Sequence, residues 1–145
     1  MTQLPPLPRS QQIIDAEHLK ILSIFHFVLA GFAALGLLFI LAHYTIFSAF
    51  LSDPKVWENQ KQGPMPVDFF AIFKWFYLVV GIWMVGTGIL NLLSGLFIRS
   101  RKHRTFSLFV SGINCLHFPF GTVLGVFTII VLVRDSVRER YGVEK

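Results

Sequence analysis

Cysteine, charge and reactive motifs are what this 145-residue chain has least of. The single cysteine, Cys115, excludes an internal disulfide and any Cys-x-x-Cys metal or redox site. It lies in an apolar run, where a free cysteine serves as a small packing residue. Charged residues make up 14% of the chain, against roughly 25% in soluble domains. They are confined to four places: the stretch up to Lys20, residues 53–74, residues 99–104 and the tail after Val133. No Asp or Glu falls inside the runs between them, which argues against a proton relay or a carboxylate-coupled transporter. The HExxH, GxSxG, P-loop and dinucleotide glycine patterns are missing, so no enzymatic activity is expected. Asp15 and His18 share a helix face at i, i+3, but a lone pair of this kind does not define a catalytic site.

What is present is apolar. Hydrophobic residues make up 54% of the chain, and Phe alone occurs 16 times. The first long run, Ile21 to Ala42, carries no formal charge if His26 is neutral. It exceeds the about 20 residues that cross a ~30 Å hydrocarbon core. It also exceeds the apolar stretch of a signal peptide, and no convincing small-residue cleavage site follows, so the helix is expected to be retained. Its first turns, Gln11 to Lys20, are amphipathic, with Ser10 placed as a cap. The second run, Trp75 to Ile98, begins at Lys74, Trp75 and Tyr77, a set suited to the membrane interface. Between the two, Asp53-Pro54 followed by KVWENQKQ and Gly63 predicts a short interfacial helix: Asp53 caps it, Pro54 takes the first position and Gly63 ends it. Val56 and Trp57 are placed to rest on the interface.

The third run, Phe106 to Val133, is too long for one straight span and is interrupted by Phe118-Pro119-Phe120-Gly121. It forms either one kinked span or a helical hairpin. Lys and Arg tend to stay on the cytoplasmic side. A hairpin puts the RSRKHR loop, the basic tail and the N-terminus on one side, and leaves only Lys55, Lys61 and Lys74 of the 13 basic residues on the other. The expected fold is therefore an all-α integral membrane protein with four membrane helices: two full spans and a C-terminal hairpin broken near Pro119. The alternative has three spans with a kinked third. The expected bounds are a proline-rich tail at 1–9, one helical membrane domain at 10–141 and a C-terminal tail at 142–145. Within the domain, membrane runs cover about 20–43, 69–98, 102–118 and 120–137, with an outer loop at 44–68 and a basic inner loop at 99–104.

The motif Cys115-Leu116-His117-Phe118-Pro119-Phe120-Gly121-Thr122-Val123-Leu124-Gly125-Val126-Phe127-Thr128 resembles one found in a widespread group of small bacterial multi-pass membrane proteins of unassigned function. The preceding RSRKHR-x-F and the segment Glu17-His18-Leu19-Lys20-Ile21-Leu22-Ser23-Ile24-Phe25-His26-Phe27 fit the same group. The resemblance implies a bacterial origin and a shared membrane fold, and the expected location is the bacterial inner membrane. It transfers no catalytic residue.

Candidate functional residues follow from chemistry. Asn91 and Asn114 are carboxamides within apolar runs, suited to hydrogen bonding between helices or, in an oligomeric channel, to lining a pathway with the glycines. Gly81, Gly88, Gly121 and Gly125 allow close helix packing, the last two as a GxxxG that serves either within the chain or between copies. His26 is expected to bond across helices to Ser or Asn. His43 and His117 could be axial ligands of a haem or chlorin; otherwise no cofactor is expected. His43 is otherwise an interfacial residue, and His117 otherwise serves the backbone freed at Pro119. Arg99, Arg101, Lys102 and Arg104 are placed to meet lipid headgroups, each worth roughly 1 kcal/mol near an anionic surface. The expected partners are membrane lipids and other membrane-protein subunits or further copies of the chain, not nucleic acid. Both termini are expected to be cytoplasmic. The leading expectation is an accessory or scaffold subunit; a small oligomeric channel and a haem- or pigment-binding subunit are the alternatives.

Overall fold

A computed structural model describes residues 9–57 and 67–142, with side chains described except at 56, 57 and 67–70. Six helices follow in order: α1 (Arg9–Ser52), α2 (Pro54–Trp57), α3 (Val67–Ser100), α4 (Arg104–Asn114), α5 (Phe120–Val133) and α6 (Asp135–Arg140). No strand occurs among the described residues. Two helices, α1 and the Ala71–Ser100 part of α3, are long and apolar enough to cross a membrane. The chain forms two compact units: residues up to Ala30 together with those from Ile89 onward, and Gly31–Gly88.

Helix α1 continues well past the predicted end near residue 43. The expected outer loop at 44–68 is helical as far as Ser52. The reason lies in its hydroxyls. Thr45 Oγ1 donates to the Leu41 and Ala42 carbonyls at 2.7 and 2.9 Å, and Ser52 Oγ donates to the Ser48 carbonyl at 2.7 Å. Polar side chains that bond one turn back have no need to leave the helix for water. The chain then breaks at Asp53, whose Oδ1 accepts from the Lys55 backbone N–H at 3.0 Å, with Pro54 opening α2. This is the N-cap geometry that leaves proline at the first helical position. The expected continuation to Gly63 lies outside the described residues, as do the side chains of Val56 and Trp57.

The two expected arms are shorter than their predicted bounds of 102–118 and 120–137. Helix α4 starts at Arg104 because Arg101 and His103 take left-handed backbone conformations, φ 53° and 47°. It stops at Asn114, and residues 115–119 form the turn, with a cis peptide at Phe118–Pro119. Helix α5 stops at Val133, because Arg134 is extended (ψ 137°) before α6 begins. Helices α4 and α5 run antiparallel. Arg104 Nε donates to the Leu132 carbonyl at 2.7 Å at one end, and Thr122 Oγ1 donates to the Cys115 carbonyl at 2.9 Å at the other. The glycines make this approach possible. A Cβ on Gly121 would lie 2.7 Å from the Asn114 carbonyl oxygen, and one on Gly125 would run into the Ser111 carbonyl and lie 2.7 Å from Cys115 Sγ.

In the unit built from both ends of the chain, Leu19, Leu22, Ile98, Leu124, Val131, Leu132 and Val137 make the apolar core. Polar residues are equally buried there: Asp15, Ser23, His26, Asn91, Ser94, Ser107, Ser111, Asn114 and Thr128. Gly95 lets α1 and α3 meet in this unit. Ser23 Oγ donates to its carbonyl at 2.8 Å, and the Phe27 ring fills the space its side chain would take. In the unit 31–88, the α1 and α3 segments meet through smaller contacts: Gly36 faces the Met84 thioether, Leu37 reaches Gly81, and Phe47 packs against Phe73.

Candidate functional site

The chemistry-bearing residues of the first unit lie on a few helix faces. On α1, Asp15, Leu19, Leu22, Ser23 and His26 recur at three- and four-residue spacing and are all buried. Asp15 is completely enclosed. Its Oδ1 accepts from Gln11 Nε2 at 3.0 Å and lies 3.9 Å from a guanidinium nitrogen of Arg134, while Oδ2 has no protein partner among the described residues. The same Arg134 nitrogen lies 3.3 Å from His18 Nδ1. A guanidinium has only donors, so His18 Nδ1 must accept and its proton sits on Nε2. Arg140 donates to the Gln12 carbonyl. The start of α1 is thus held by two arginines that follow the last apolar run. Asp15 and His18 were legible as an i, i+3 pair, but Arg134, more than a hundred residues away, was not. Neighbouring Tyr141 is half-buried, and burial pushes its phenol up to about 12 against the pull of Arg101 and Arg104.

Deeper in the unit, the two asparagines meet. Asn91 Nδ2 donates to Asn114 Oδ1 at 3.0 Å, and Asn114 Nδ2 donates to Asn91 Oδ1 at 2.7 Å. Both are buried, so each amide supplies one donor and one acceptor to the other. On α4, Ser107, Ser111 and Asn114 line one buried face at intervals of four and three residues. That polar stripe is visible as spacing, but the lengths of apolar runs do not reveal it. The outer face of the same helix carries exposed Phe109. The turn beyond it presents Leu116 and Phe118, and the start of α5 presents Phe120, at 78%, 89% and 80% exposure.

Of His26, His43 and His117, two meet a carbonyl one turn back and His43 bonds across helices. His26, expected to bond across helices, instead has Nδ1 3.0 Å from the Leu22 carbonyl one turn back, a carbonyl the helix itself brings beneath the ring. His117 Nδ1 lies 3.2 Å from the Ile113 carbonyl. His43, in the other unit, has Nδ1 2.5 Å from the Tyr77 hydroxyl and stacks on Phe47. Among the described residues, no three of His, Cys, Asp and Glu come together as a metal site would need.

The four basic residues placed for lipid headgroups separate. Arg99, Arg101 and Lys102 are exposed, whereas Arg104 spends its Nε on the end of α5. Gly121 and Gly125 press on α4, Gly81 makes only an ordinary contact with Leu37, and Gly88 is half-buried. Compared with family models, curated proteins and solved structures, the chain matches none.

Proposed function

We propose that this chain is an accessory or scaffold subunit of the bacterial inner membrane, packing in the bilayer against other membrane proteins or further copies of itself, and not an enzyme. The observation that carries the reading is the inverted polarity of α4 and its turn. Ser107, Ser111 and Asn114 are inside, with Ser111 and Asn114 bonded, while Phe109, Leu116, Phe118 and Phe120 point outward. In water this arrangement would expose a large apolar patch and bury polar groups at a cost. In lipid it satisfies both. The exposed apolar faces of α1 and α3 fit the same surroundings.

Three of the buried polar contacts tie helices together: Asn91 to Asn114, Ser23 to Gly95, and Asp15 to Arg134. A channel pathway lined by the asparagines gains nothing from amides bonded to each other, and a haem held by His43 and His117 would compete with the bonds these imidazoles make to Tyr77 and to the Ile113 carbonyl. In the proposed membrane arrangement, α1 and α3 are full spans. Helices α4 and α5 form a hairpin that enters and returns on the cytoplasmic side, where both termini also lie. At ~1.5 Å per residue, the 11 and 14 residues of these arms reach about 16 and 21 Å, short of a ~30 Å core. The apolar turn suits a tip that stays within lipid. The contacts of Arg104 with Leu132 and of Arg140 with Gln12 support placing the basic loop, the tail and the start of α1 at one side.

Affinity purification in mild detergent tests the function. The expected result is a particle above monomer mass, containing a defined partner or further copies. A protein that runs alone at monomer mass removes the basis of the proposal.

A further inference from the structure

We propose that the first unit holds one anionic phospholipid in the groove between the start of α1 and the end of α3, with its headgroup on Lys20, Arg99 and Arg101. This rests on the membrane placement above and names a specific ligand within it. The groove has a volume of about 370 Å³ and is open to the outside. Its wall is apolar, with Leu19, Ile24 and Phe27 on one side and Ile98 on the other. Its rim carries three exposed cations and no carboxylate. None of the three forms an ion pair with an acidic side chain among the described residues. Glu17, the acidic residue nearest in sequence, lines the adjoining hollow with Arg9, Lys20 and Arg140 and does not line the groove itself.

Register argues for a lipid over a soluble anion. Lys20 immediately precedes the first charge-free run, and Arg99 immediately follows the second. Both therefore sit where the hydrocarbon core gives way to headgroups, and the groove continues from them along the apolar side of α1 as far as Phe27. That is seven residues beyond Lys20, about 10 Å at the helical rise, a depth that takes the upper part of an acyl chain. Two local features shape the groove. The left-handed backbone at Arg101 turns the chain after α3 so that this side chain reaches the rim, leaving Lys102, the next residue, off it. Gly95 lets the Phe27 ring tuck against α3, and a Cβ there would lie 2.7 Å from that ring. A phosphodiester on three cations with its acyl chain on leucine, isoleucine and phenylalanine matches charge to charge and apolar to apolar.

The test is native mass spectrometry of the purified protein, offered phosphatidylglycerol or phosphatidylcholine with the same acyl chains. The wild type is expected to retain one phosphatidylglycerol in preference to phosphatidylcholine. Arg99→Gln and Arg101→Gln are each expected to reduce retention about fivefold, and Lys102→Gln, of equal charge in the same loop, to leave it nearly unchanged. Ile24→Trp, which fills the groove without altering charge, is expected to abolish retention. The inference is overturned by equal retention of the two lipids, by Lys102→Gln matching Arg101→Gln, by indifference to Ile24→Trp, or by inorganic phosphate displacing phosphatidylglycerol at matched concentration. Alkaline extraction of membranes separates this failure from that of the membrane reading. A protein that stays in the bilayer without a lipid preference loses only the groove, whereas a protein that washes off loses both.

Discussion

Asn91 and Asn114 show what a single polar residue does in an apolar setting. Each amide satisfies the other, so removing one leaves the second buried with a donor and an acceptor unmet. Asn91→Leu is expected to destabilise the protein by about 1–2 kcal/mol, and Asn91→Leu with Asn114→Leu to cost less than the two single changes summed. Thermal unfolding in detergent, read as a double-mutant cycle, checks this; strict additivity would show that the pair is not coupled. Tyr141 supplies a pH-dependent counterpart. Its phenol ionises more readily in the unfolded chain, near 10.0, than in the fold, near about 12. Its contribution to stability is therefore fully present below the lower value and is lost as pH rises through the higher one. Between these limits the melting temperature should fall with pH, and Tyr141→Phe should flatten that fall; an unchanged slope assigns the loss to other groups. The asparagines could be picked out by type, as carboxamides in charge-free runs. Their pairing could not, because residues 23 apart meet only once α3 and α4 have turned back on each other.

At the scale of elements, the α4–α5 pair depends on glycine more than on side-chain complementarity. A side chain at Gly125 would meet the Ser111 carbonyl and Cys115 Sγ, and backbone at such a contact cannot give way cheaply. Gly125→Leu is expected to separate the arms and expose the thiol. The rate at which a membrane-permeant maleimide labels Cys115, the chain's only cysteine, reads this directly and should rise about tenfold or more, as for local opening of a packed site. A rate equal to wild type would mean that the arms accommodate the side chain. The break near Pro119 was legible because proline lacks a backbone donor and disfavours helix before it. The ends of the helices were less so. The connection after α1 begins at Asp53 and not at 44 because hydroxyls closed on their own helix, and α5 ends at Val133, just before Arg134, whose guanidinium meets Asp15 and His18.

For the molecule as a whole, the topology proposed here places residues 103 and 143 on the same side of the bilayer. Fusions after these positions to reporters active only in the cytoplasm or only in the periplasm should agree, both cytoplasmic; opposite results would leave a single kinked third span. A cysteine at Phe118, in a Cys115→Ala background, should resist a membrane-impermeant maleimide from either side, because the turn is placed within lipid. The sequence alone determined the helical class, the two long apolar segments, the capped short helix after Asp53 and the break at Pro119. These depend on composition, run length and the local chemistry of proline and caps, which act over a few residues. Only the tertiary structure decided that Arg134 reaches the buried Asp15, that Asn91 and Asn114 bond each other, and that α4 turns its serines inward and Phe109 outward. Those are contacts between residues far apart in the chain, and in an apolar surrounding hydrophobicity no longer distinguishes the inside of a helix from its outside; the pairing of polar groups does.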